Sequence, residues 1–108
     1  MSEYTPHNWV ILKIINEDEI LYKVLAGWSG GYLDGDSWRM NSGIVKATIG
    51  GHHAIFEGYS GSQYVCHRES YRLTMATSGM YNELKEKFGD AVELMPEDTD
   101  WMELINES

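Results

Sequence analysis

The stretch Ile44-Val45-Lys46-Ala47-Thr48-Ile49-Gly50-Gly51-His52-His53-Ala54-Ile55-Phe56-Glu57 reads as strand, reversal, strand. Apolar and polar residues alternate around two glycines, and a Gly-Gly pair suits a two-residue hairpin because both positions accept positive φ. That turn sets Ile49 opposite His52, Ala47 opposite Ala54 and Val45 opposite Phe56, all on one mostly apolar face. A second reversal near Ser60-Gly61 brings Val65 beside Phe56 and His67 beside Ala54. The predicted buried face is then Val45, Ala47, Ile49, Ala54, Phe56 and Val65. The other face carries Lys46, Thr48, His53, Glu57, Tyr64 and Arg68, a solvent-like set. A one-residue slip would exchange the two faces.

Toward the N-terminus, His7–Asn16 (HNWVILKIIN) is a strand rich in β-branched residues, and the polar break Asn16–Glu19 leads into a second strand, Ile20–Ala26. Together they predict an early antiparallel hairpin. Gly27–Ser37 holds four glycines with Asp34 and Asp36 and reads as a loop. Trp38–Met40 and Ile44–Ile49 read as one strand interrupted by a bulge or bend at Asn41-Ser42-Gly43. After Thr74 the pattern turns helical. Thr77 or Ser78 caps a helix running to about Phe88, Met80, Leu84 and Phe88 recur at helical spacing, and Gly89 supplies the left-handed C-terminal residue. Ala91–Met95 is a short strand, and Pro96 or Thr99 opens a last helix with Trp101, Met102, Leu104 and Ile105 as its apolar side.

These elements predict an α+β fold: a four- to six-stranded, strongly bent antiparallel sheet or small open β-barrel, with one or two C-terminal helices. The chain of 108 residues makes one domain, 1–108, β-rich over 7–75 and helical and acidic over 77–108. An apolar share of 43% is enough to fold rather than stay disordered. Cys66, the one cysteine, excludes an internal disulfide. With no signal peptide and no apolar run near the ~20 residues a membrane span needs, the expected setting is the cytoplasm, away from membranes.

Charge is unevenly placed. Met80–Ser108 holds nine acids against Lys85 and Lys87, a net of −7 out of −9 for the whole chain. That balance opposes direct nucleic-acid binding, which draws its affinity from neutralised phosphates. The acidic third is either a solvated helix face or a surface that meets a basic partner.

No catalytic signature emerges. Cys66 and His67 are adjacent, and neighbouring strand residues point to opposite faces, so they cannot form a nucleophile–base pair. His52 and His67 on one face, His53 and Cys66 on the other, leave two candidate ligands per face, below what a stable zinc site uses. No phosphate loop or dinucleotide fingerprint occurs, and no cofactor is called for.

What remains is aromatic. Gly27-Trp28-Ser29-Gly30-Gly31-Tyr32 and Gly58-Tyr59-Ser60-Gly61-Ser62-Gln63-Tyr64 read almost alike, as two turns of similar build. Trp28, Tyr32, Tyr59 and Tyr64 then flank a shared contact surface, with Arg39 and Arg68 close enough in sequence to add bidentate donors. Such a surface suits a protein partner, a second copy of the chain, or a nucleotide-like ligand stacked between rings. The alternative is that half of these aromatics are core.

The segments DSWRMNSGI (36–44), FEGYSGSQYVCH (56–67) and Ser70-Tyr71 resemble small accessory proteins encoded by tailed bacteriophages, including those of marine cyanobacteria. The resemblance covers roughly residues 36–72 and implies a setting, a phage-encoded factor in a host cell, but no catalytic residue. The leading expectation is a non-enzymatic binding protein acting through protein contacts, such as an accessory factor that modulates a host protein.

Overall fold

The computed structural model describes residues 3–31 and 35–106, with side chains described outside 29–36. Among the described residues, eight strands form two separate four-stranded sheets. The first, in the order β1 (Glu3–Tyr4), β7 (Gln63–His67), β6 (His53–Gly58), β5 (Ile44–Ile49), is mixed, because β1 runs parallel to β7. The second, β4 (Gly35–Met40), β3 (Glu19–Gly31), β2 (Asn8–Asn16), β8 (Val92–Leu94), is antiparallel throughout. The expected α+β class therefore holds, but the single bent sheet or barrel is replaced by two open sheets.

The switch between sheets occurs at Asn41–Gly43, where a bent single strand was expected. Asn41 imitates one more ladder residue: its N–H donates to Val24 O (3.1 Å), and its Oδ1 accepts from Val24 N (2.9 Å). Gly43, at φ +145°, then turns the chain away into β5. A side chain at Gly43 would also strike Tyr59, whose ring stands 2.9 Å from the position a β-carbon would take.

Strand β2 is covered on both faces, which explains its continuous apolar run Trp9–Leu12. Trp9 and Ile11, with Val24 and Ala26 of β3, meet Ala47, Ala54, Phe56, Tyr64 and Cys66 of the first sheet. Val10, Leu12, Leu25 and Val92 face the other way, onto Leu73, Met80, Tyr81 and Leu84 of the helical layer. The architecture is sheet on sheet on helix.

The hairpin β5–β6 forms, but its reversal is centred one residue later than expected. Ile49 pairs with Ala54 and Ala47 with Phe56, a shift of two in the pairing that keeps the same residues on the same face. A bulge between Ile44 and Lys46 then rotates Val45 outward, where it is 46% exposed, and turns Ile44 toward the core. The β6–β7 register departs by one: Phe56 pairs with Tyr64 and Ala54 with Cys66. This slip exchanges faces as period-two geometry requires. Tyr64 and Cys66 are buried, and Val65, expected inside, points to the opposite face.

Where a loop was expected over Gly27–Ser37, Gly27–Gly31 belongs to β3 and Gly35–Ser37 to β4; residues 32–34 lie outside the description. Glycine is needed at 27 for close approach: a β-carbon there would stand 2.8 Å from Thr74 Oγ1 at the start of the helix. That helix, α1 (Met75–Phe88), is capped by Thr74 rather than Thr77 or Ser78. Thr74 Oγ1 accepts from Thr77 N and Thr77 Oγ1 accepts from Thr74 N, a reciprocal capping box. Gly89 ends it, as the pattern predicts, but at φ +57° and ψ −124°, outside the left-handed helical region expected there, and Phe88 lies 56% exposed rather than in the apolar stripe. The short helix α2 (Trp101–Asn106) starts after Asp100, whose carboxylate accepts from Glu103 N; Trp101 and Ile105 are buried and Met102 is exposed. Among the described residues no helix is long and apolar enough to cross a membrane.

Candidate functional site

Of the six residues singled out by sequence, the five that are described divide into three places. Trp28, Tyr64 and Arg39 converge on a ring the pattern did not single out, Tyr4. Its centroid lies 5.1 Å from that of Tyr64 and 6.4 Å from that of Trp28, and the Arg39 guanidinium sits 4.5 Å above its face. Parallel pairing of β1 with β7 puts Tyr4 beside Tyr64. Tyr64 is only 1% exposed; burial pushes its phenol pKa up, partly offset by the charge and hydrogen bond of Arg39. Trp28 is half-buried and donates its indole N–H to Thr5 O (3.0 Å). This cluster holds the first sheet to the second.

Tyr59 lies apart on the β6–β7 turn, 68% exposed. Tyr32 lies outside the described residues. The two similar aromatic segments thus differ in structure, since Trp28 is within β3 while Tyr59-Ser60-Gly61 is a true reversal with Gly61 at φ +87°.

Arg68 is at the far end of β7, where its Nη1 donates to Gly50 O (2.9 Å) and reaches Gly51 O (3.5 Å). It clamps the β5–β6 turn and, with that turn, forms one wall of a cleft of about 950 Å³. The second wall is Glu97–Met102, the connection from β8 into α2. Trp9, Tyr71 and Trp101 form the floor, with the Trp9 and Tyr71 centroids 4.8 Å apart edge to face and those of Tyr71 and Trp101 5.9 Å apart. Two polar edges of this floor are fixed. Trp9 Nε1 donates to His67 O (2.7 Å), while Tyr71 donates to Met95 O (2.5 Å) and accepts from Ile11 N (3.0 Å). Burial raises the Tyr71 pKa to about 12, with the nearby Glu97 charge adding to the shift and the Ile11 N–H opposing it.

The rim carries Glu69, Glu97, Asp98 and Asp100 against the single cation Arg68. Of this cleft, sequence reading named only Arg68 as a site residue. Its signal was faint: a tryptophan, Trp101, set directly after three acids in four residues.

Nucleophilic chemistry finds no support in the geometry. Cys66 is fully buried beside Ala54, and burial pushes its thiol far above the usual range. His67 stands opposite His53, ring centroids 5.4 Å apart, with His52 at 6.5 Å, and its Nδ1 accepts from Glu69 N. Among the described residues, no three His, Cys, Asp or Glu groups converge as a metal ion would need.

Set against protein-family models, curated protein sequences and solved structures, the chain matches none.

Proposed function

We propose that this chain is a non-enzymatic binding protein that receives a segment of a protein partner in the cleft between the Arg68-clamped turn and Glu97–Met102. The observation that carries this reading is the cleft itself: about 950 Å³ over a floor of three aromatic rings, with the polar atoms of Trp9 and Tyr71 already paired. An occupant therefore meets aromatic edges, Met102 and exposed carboxylates, a mix of apolar anchor and polar rim that suits protein contacts. The nucleotide-like alternative is less well supported, because Arg39 and Arg68 both bind protein groups. The resemblance over residues 36–72 favours a phage accessory factor acting on a host protein in the bacterial cytoplasm.

A photo-crosslinking residue at position 102, which is exposed in the cleft, tests this against the same residue at position 83 on the outer face of α1. In a bacterial host lysate, one partner is expected to be captured from 102 and not from 83, with capture competed by the unlabelled protein. Equal capture from both positions, or none from 102, would refute the cleft as the contact surface.

A further inference from the structure

We infer that the occupant of the cleft is a cationic segment, an extended peptide presenting arginine or lysine side chains. The inference rests on the binding role proposed above and names the chemistry of the partner. The cleft has two zones: an aromatic floor made by Tyr71 and Trp101, and a rim of four carboxylates. A long basic side chain has the same two zones, an apolar stem and a charged head. Laid into the cleft, its stem covers the rings and Met102 while its head reaches Glu97, Asp98 or Glu69.

Arg68 sits against the carbonyls of Gly50 and Gly51, leaving the four acids in excess by three over the lining's only cation. Glu69, Glu97, Asp98 and Asp100 are all exposed on the rim that an incoming segment meets. The whole chain, at −9, adds a field that steers a basic partner and repels an anionic one. A phosphate-bearing ligand would meet four carboxylates against one guanidinium, a net repulsion.

The test uses the full chain, labelled with nitrogen-15, and three octapeptides of alternating sequence: Arg-Leu, Ser-Leu and Glu-Leu, with adenosine triphosphate as a fourth probe. The Arg-Leu peptide is expected to shift the Trp101 indole and the amides of residues 68–71 and 97–102, with affinity falling as salt rises from about 50 to about 200 mM. Glu97→Gln with Asp98→Asn should weaken it about threefold to tenfold, the scale of two exposed charge contacts, with the thermal midpoint unchanged. Binding of the Ser-Leu or Glu-Leu peptide as tightly as Arg-Leu would overturn the charge selectivity and leave the cleft as a contact surface. Cleft shifts by adenosine triphosphate alone would favour the nucleotide-like reading instead. Arg-Leu shifts confined to Glu83 and Glu86 on α1 would show mere attraction to an acidic chain. No cleft shift with any probe would remove both the charge assignment and the contact surface.

Discussion

Tyr71 carries two main-chain bonds on one oxygen, joining β2 at Ile11 to the segment after β8 at Met95. Tyr71→Phe keeps the ring but leaves both backbone groups unpaired in a half-buried site, a loss of about 1–3 kcal/mol. The same phenol makes stability depend on alkaline pH. Its folded pKa of about 12 lies above the ordinary 10, so the neutral form is the one the fold favours. The contribution is complete below about 10 and is lost as pH rises toward about 12, because the unfolded chain releases its proton first. Denaturation midpoints measured across that range should fall less steeply in Tyr71→Phe; equal slopes would show the phenol uncoupled from folding. Position 45 gives a second contrast. Phe56→Ala empties a fully buried site and should cost about 3–5 kcal/mol. Val45→Lys, which strict alternation marks as equally harmful, should fall within about 0.5 kcal/mol of the parent because the bulge turns Val45 outward. Urea titration of both variants decides it, and a Val45→Lys protein as unstable as Phe56→Ala would contradict the bulge.

At the scale of elements, β5 is an edge strand with a guard. Asn106, at the end of α2, accepts from Ala47 N (3.0 Å) and donates to Ala47 O (2.8 Å), so one side-chain amide acts as a neighbouring strand would. Open edges invite pairing with other chains. Asn106→Ala should therefore cost about 1–2 kcal/mol for two part-buried bonds and promote concentration-dependent association. Light scattering across a dilution series reads the second effect, and a strictly monomeric variant would mean that α2 shields β5 without that amide. Local pattern made several elements legible: the β2–β3 hairpin, the C-terminal glycine of α1, β8 as a strand, and α2. It failed where a distant partner decides. Gly27 looks like a loop residue, yet it is a strand residue thinned to admit Thr74 and Thr77. Tyr64 looks like a solvent-face residue, yet one step of register, set by the Gly61 turn, brings it inside.

For the whole molecule, the candidate site was less legible than the fold for a physical reason. The cleft is assembled from the β5–β6 turn, the residues after β7 and the entry to α2, brought together only when the two sheets stack. No spacing within any one segment encodes that meeting. The sheets are also interleaved along the chain. The first takes β1, β5, β6 and β7, and the second takes β2, β3, β4 and β8. During synthesis the ribosome delivers these in sequence, so the first sheet has all its strands once His67 has emerged, while the second waits for Leu94. Until then β2, destined to be covered on both faces, shows Leu12 and Ile14 with an unfilled edge where β8 will pair. The nascent chain passes through an interval of about one to five seconds, at ordinary elongation rates, in which one sheet has all its strands and the other has three of its four. β8 ends that exposure, and the connection that follows it, Glu97–Met102, walls the cleft.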